Sequence, residues 1–156
     1  MKRGVLIALA VAASGAAWAA TPGEAFSELV GSCWKADIGE GASDTHCFTM
    51  SAGGRLVMDV HKVRNASGVV VYEGVTTYRT EAESGSIRYA YFNSQGDLLP
   101  GYGRREGDRL VFSPAPSGAA DVVWYLGAEA YEVGSAAASA ARTKFVRVGP
   151  AGGDGL

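Results

Sequence analysis

Two D-x-H triplets, Asp44-Thr45-His46 and Asp59-Val60-His61, flank a glycine turn in the stretch DTHCFTMSAGGRLVMDVH. They hold the only two histidines of the chain. Two carboxylates beside two imidazoles can orient a proton transfer, hold a metal ion or build a polar wall. Each of these needs the four side chains on one face. The question therefore passes to the elements that carry them.

The chain opens with Lys2 and Arg3, then a short apolar run, then Ala17-Trp18-Ala19. This is the pattern of a secretory signal cut after Ala19, too short to read as a membrane span. Residues 1–19 are thus expected to be a leader and the protein periplasmic or secreted. The remaining 137 residues suit a single domain, expected over 20–149. The Gly-rich end, 150–156, reads as a disordered tail. Loss of Lys2 and Arg3 shifts the formal charge from −2 to −4. A mildly acidic domain with no basic run argues against a nucleic-acid partner.

Cys33 and Cys47 both survive that cleavage. In an oxidising compartment an even pair reads as a disulfide, closing a loop of about 15 residues. Thr21, Pro22 and Glu24 form the start signature of a helix over 21–31, with Phe26, Leu29 and Val30 on its apolar face. From there runs rich in Val, Tyr, Phe, Thr and Trp alternate with Gly, Asn, Asp and Ser clusters. About ten strands result, joined mostly by hairpin-sized turns. The expected fold is all-β: a closed antiparallel up-and-down barrel of about ten strands with a short N-terminal helix. Closure removes the exposed edges that so long a sheet would otherwise carry. A sandwich is the alternative.

A short helix leading into Gly31-Ser32-Cys33-Trp34, then a ten-strand meander, resembles the calycins: lipocalins, fatty-acid-binding proteins and nitrobindin-like barrels. Their Gly-x-Trp opens the first strand, and the Trp plugs one end of the barrel. Here the motif carries one extra residue. The resemblance implies a small apolar or amphipathic ligand held inside the barrel. No cofactor is expected. The candidate ligand-binding residues are Trp34, His46, Phe48, Asp59, His61, Tyr72, Tyr78, Tyr89 and Tyr91. A plain packing role is an equally simple reading of Trp34 and the tyrosines. Arg88, Arg104, Arg105 and Arg109 flank turns and are expected in solvent.

Facing can be followed strand by strand. A disulfide places Cys33 opposite Cys47 and therefore Trp34 opposite His46. Trp34, His46 and Phe48 then share the more apolar face, which points inward, with Asp44 near the rim. Beyond the SAGG turn two registers compete. An even turn places His46 opposite Asp59 and Asp44 opposite His61, so that all four polar groups line the interior. A three-residue turn places His46 opposite Val60 and turns Asp59 and His61 outward. The even turn exposes Leu56, Met58, Val60, Val71 and Val75, each forgoing roughly 1.5–3 kcal/mol of full burial. Burial therefore favours the three-residue turn. Zinc needs three or four converging ligands, which only the even turn supplies. No metal and no catalytic residue is assigned from sequence. An enzymatic, metal or haem site using His46, Asp59 and His61 is the alternative function, and a structural or interaction domain is a third.

Overall fold

The computed structural model describes residues 21–81, 84, 86–137 and 140–152. The expected leader, 1–19, lies outside the described residues. Ten antiparallel strands form one closed barrel. They are β1 (Ser32–Gly39), β2 (Ala42–Ser51), β3 (Leu56–Arg64), β4 (Val70–Thr80), β5 (Ile87–Asn93), β6 (Leu98–Glu106), β7 (Arg109–Ser113), β8 (Val122–Leu126), β9 (Ala130–Ser135) and β10 (Thr143–Pro150). Each strand pairs with the next in sequence, and β10 closes on β1. The sandwich alternative is excluded. Strand β10 runs through Pro150, opposite Ser32, and the Ala151 amide donates to the Gly31 carbonyl. The ordered chain thus passes the expected boundary at 149, while residues 153–156 lie outside the described set.

The helix is shorter than the sequence suggests. Only α1, Pro22–Ala25, is helical, although its capping box is complete: Thr21 Oγ1 accepts from the Glu24 amide, and Glu24 accepts from the Thr21 amide. Tight turns replace the helix from Phe26 onward. Phe26 (φ −111°, ψ 21°) leaves helical geometry, and Phe26 and Leu29 are both fully buried. Insertion of these two side chains into the barrel outweighs continued helical hydrogen bonding. Arg105 fixes this plug. Its guanidinium donates to the Ala25 carbonyl at 2.8 Å and, through both terminal nitrogens, to the Glu28 carboxylate at 2.8 and 2.9 Å. That contact lowers the Glu28 pKa. Arg105 was expected in solvent, but at the plugged end it meets the last carbonyl of α1. Arg104 and Arg109 pair with Glu106 on the surface, and Arg88 donates to the Tyr102 hydroxyl.

The plugged half is filled by aromatic side chains. Phe26, Phe48, Tyr78, Trp124 and Tyr131 meet with ring centroids 4.4–6.4 Å apart. Trp34 is fully buried there. Its indole N–H donates to the Leu29 carbonyl at 3.2 Å, and its ring meets Tyr131 edge-on.

Cys33 and Cys47 form the disulfide, as directly opposed residues of β1 and β2. They are 14 residues apart in sequence, so the cross-link is worth about 3 kcal/mol through the unfolded chain. Replacing both by serine is expected to lower the unfolding free energy by about that amount in a urea titration. Reducing agent is expected to do the same to the native protein and nothing to the double variant.

Candidate functional site

The first hairpin has the register that the cysteines imply. Trp34 lies opposite His46 and Ala36 opposite Asp44. The second does not. Four residues, Ala52 to Arg55, separate the strands, and Gly53 and Gly54 take left-handed φ of 64° and 84°. His46 is opposite His61, Phe48 opposite Asp59 and Cys47 opposite Val60. This overturns the three-residue turn that burial favoured. It is an even connection whose register is shifted by two from the one considered, so its facing is the same and its partners differ. Asp44, His46, Asp59 and His61 all turn inward. The side chains set outside lose less than full exposure implies. Leu56, Met58, Val60 and Val75 are half-buried, and only Val71 is as much as 58% exposed. Val60 and Val75 pair across β3 and β4 and cover one another. Inside, Phe48 and Val57 gain complete burial.

His61 lies opposite Gly74, and Tyr72 lies opposite Val63. The glycine has a steric role. A Cβ at position 74 would stand 2.5 Å from the Tyr91 ring and 2.8 Å from both His61 Nε2 and the Tyr91 hydroxyl. Only a glycine there lets Tyr91 of β5 reach across β4 to the histidine.

The resulting network is continuous. His46 Nδ1 bonds Asp59 Oδ2 at 2.7 Å, and His46 Nε2 bonds Asp44 Oδ2 at 3.2 Å. His61 Nε2 and the Tyr91 hydroxyl are 2.9 Å apart, and Tyr91 shares a 2.5 Å bond with the Tyr72 hydroxyl. The imidazole centroids are 4.7 Å apart. Burial alone would lower the His46 pKa, but the charges and hydrogen bonds of Asp59 and Asp44 prevail and raise it to about 10. His46 is therefore held as an imidazolium between two carboxylates. His61 is displaced the other way, by burial and then by the neighbouring His46 charge, and is neutral. Burial and the bond to Tyr72 raise the Tyr91 pKa, so its hydroxyl keeps its proton. The two histidines of similar sequence context thus have opposite protonation.

Asp44, His46 and His61 each bring one candidate ligand atom within 4.8 Å of the others. They are the residues able to hold a metal ion. Beside them opens an apolar cup of about 260 Å³, lined by Thr76, Tyr78, Tyr89, Tyr91, Leu99, Phe112, Val122 and Trp124. Thr76 lies opposite Asp59 on the neighbouring strand.

Of the nine residues singled out from sequence, Tyr78, Tyr89 and Tyr91 line this cup. His46, Asp59, His61 and Tyr72 belong to the polar network beside it. Trp34 and Phe48 are fully buried members of the packed layer below. Asp44, Phe112, Val122 and Trp124 were not singled out as ligand contacts. Period-two alternation along β7 and β8 places the last three inward, a signal that only the strand pairing turns into a common wall. No family model matches this chain, and no curated protein matches it either.

Proposed function

We propose that this is an exported, non-catalytic binding protein that holds one small apolar or amphipathic molecule in the barrel. The observation that carries the reading is the aromatic cup, whose wall ends on Tyr91, the residue that also bonds His61. Apolar walls with one convergent polar group are the usual constitution of a small-molecule site. A volume of about 260 Å³ lies just below the roughly 300–1,000 Å³ common for ligand pockets. The aromatic layer packed beneath it, with Phe26, Phe48 and Tyr131 in contact with Trp124, favours a compact ligand over a long acyl chain. The ligand class is therefore a compact ring or short branched chain with a hydroxyl, carbonyl or carboxylate end. Export is supported by the leader pattern and by the disulfide, which suits an oxidising compartment.

The test is a titration of the purified mature protein with naphthol and related compact aromatics, followed by tryptophan fluorescence. Trp124 lines the cup, so saturable quenching is expected. Val122→Phe, which fills the cup from β8, is expected to weaken binding at least about tenfold without changing the fold. No saturable binding by any compact probe, or binding indifferent to Val122→Phe, would overturn the proposal.

A further inference from the structure

We infer that Asp44, His46 and His61 form a binding site for a divalent transition-metal ion of the zinc type. The inference rests on how each imidazole is held and does not depend on what the cup binds. His46 gives Nδ1 to Asp59 and turns Nε2 towards Asp44, and an ion bound at Nε2 would displace the Nε2 proton of the imidazolium to solvent. His61 gives Nε2 to Tyr91 and turns Nδ1 towards the same carboxylate, 3.6 Å from Oδ1. One nitrogen of each ring is thus fixed by an outer partner while the other faces a common point. This is the arrangement that surrounds metal-bound histidines, in which outer carboxylates and hydroxyls set tautomer and ring angle.

A second observation comes from the groups left without partners. His61 Nδ1 and Asp44 Oδ1 are buried, and neither has a hydrogen-bond partner. His61 Nδ1 and Asp44 Oδ1 thus face one another without a hydrogen bond between them. Two such buried polar atoms are costly when unsatisfied, and a cation between them would satisfy both. Among the described residues, neither Asp44 nor Asp59 forms an ion pair with a lysine or arginine; their only such partners are the histidines.

The distances suit one ion. Ligand atoms around a tetrahedral centre with bonds of about 2.0–2.1 Å stand about 3.3 Å apart. Asp44 Oδ2 lies 3.2 Å from His46 Nε2 and Asp44 Oδ1 3.6 Å from His61 Nδ1, and one ligand atom from each of the three residues lies within 4.8 Å of the others. Two imidazoles and one carboxylate make a donor set for zinc and its neighbours. Calcium and magnesium need shells made of oxygen alone. Three protein ligands leave a further position on zinc for water or a ligand atom. Asp59 and Tyr91 are positioning residues, which act through the imidazoles.

The test is calorimetric titration of chelator-treated mature protein with zinc sulfate, and with cobalt chloride for its visible absorption. One ion per chain is expected, with cobalt giving the intense visible bands of four-coordination. His61→Gln and Asp44→Asn are each expected to weaken zinc binding by more than a hundredfold. Tyr91→Phe, which leaves all three ligands in place, is expected to weaken it by about 10–100-fold. Circular dichroism of each variant keeps loss of binding separate from loss of fold, and His61→Gln serves if Asp44→Asn does not fold. The inference is overturned if no stoichiometric ion binds to the native protein. It is equally overturned if zinc binds and folded His61→Gln or Asp44→Asn retains the native affinity.

Discussion

Replacing Asp59 by asparagine is expected to destabilise the chelator-treated protein by about 3 kcal/mol at pH 7. Asp59 is 2% exposed, and its Oδ2 bonds His46 Nδ1 at 2.7 Å. Asparagine keeps the shape and an acceptor oxygen but removes the charge that holds His46 protonated. A buried charge then loses its nearest counter-charge, which is costlier than replacing the whole pair. The pH profile identifies the cause. The His46 pKa is raised from 6.5 to about 10 on folding. Its contribution is therefore fully present below pH 6.5 and is lost as pH rises through about 10. Denaturant titrations of the native protein and the variant should converge over that interval. A gap that stays constant from pH 6 to pH 10 would show that His46 is not held as an imidazolium.

Trp34→Ala is expected to cost about 3–5 kcal/mol. The indole is fully buried, meets Tyr131 edge-on, donates to the Leu29 carbonyl and carries Arg147 over its outer face at 4.8 Å. Removing it leaves a cavity against the helical plug and an unpaired carbonyl at Leu29. Trp34→Phe refills most of the volume but not the hydrogen bond, and is expected to cost about 1 kcal/mol from that bond plus part of the cavity term. Urea titration of the two variants separates packing from hydrogen bonding. Equal losses would mean that the bond to Leu29, rather than the filled volume, holds the plug. Trp34 thus packs against the plug, in a closed ten-stranded antiparallel barrel consistent with a calycin-like fold.

Much of this barrel is legible before any coordinate is seen. Every one of the ten apolar runs becomes a strand, because period-two alternation bounded by turn residues leaves few other ways to bury those side chains. The register of β2 follows from Cys33 and Cys47, since a disulfide across two strands fixes it, and its facing follows from the more apolar set that this register gathers. The limits of α1 are less legible. Thr21, Pro22 and Glu24 mark its start, but its end at Ala25 is set by Phe26 and Leu29 turning into the barrel, a contact with residues far along the chain. The inner polar network is the least legible part. SAGG followed by Arg55 is compatible with connections of two, three or four residues, and a one-residue change sends Asp59 and His61 to opposite faces.

The sequence by itself determined a ten-strand meander, its cross-link and the presence of four residues with metal or proton chemistry. Those follow from local periodicity, turn composition and residue type. Only the tertiary structure decided that the four converge. Summing the burial of β3 side chains one at a time favoured the wrong face, because it treated the outer residues as wholly exposed. In the closed barrel Val60 and Val75 shield each other, Phe48 and Val57 fill the lumen, and the carboxylate of Asp59 is compensated by His46. The absent side chain at Gly74 then makes room for Tyr91 to fix His61. These terms depend on which strands become neighbours, and that is set by closure of the whole sheet.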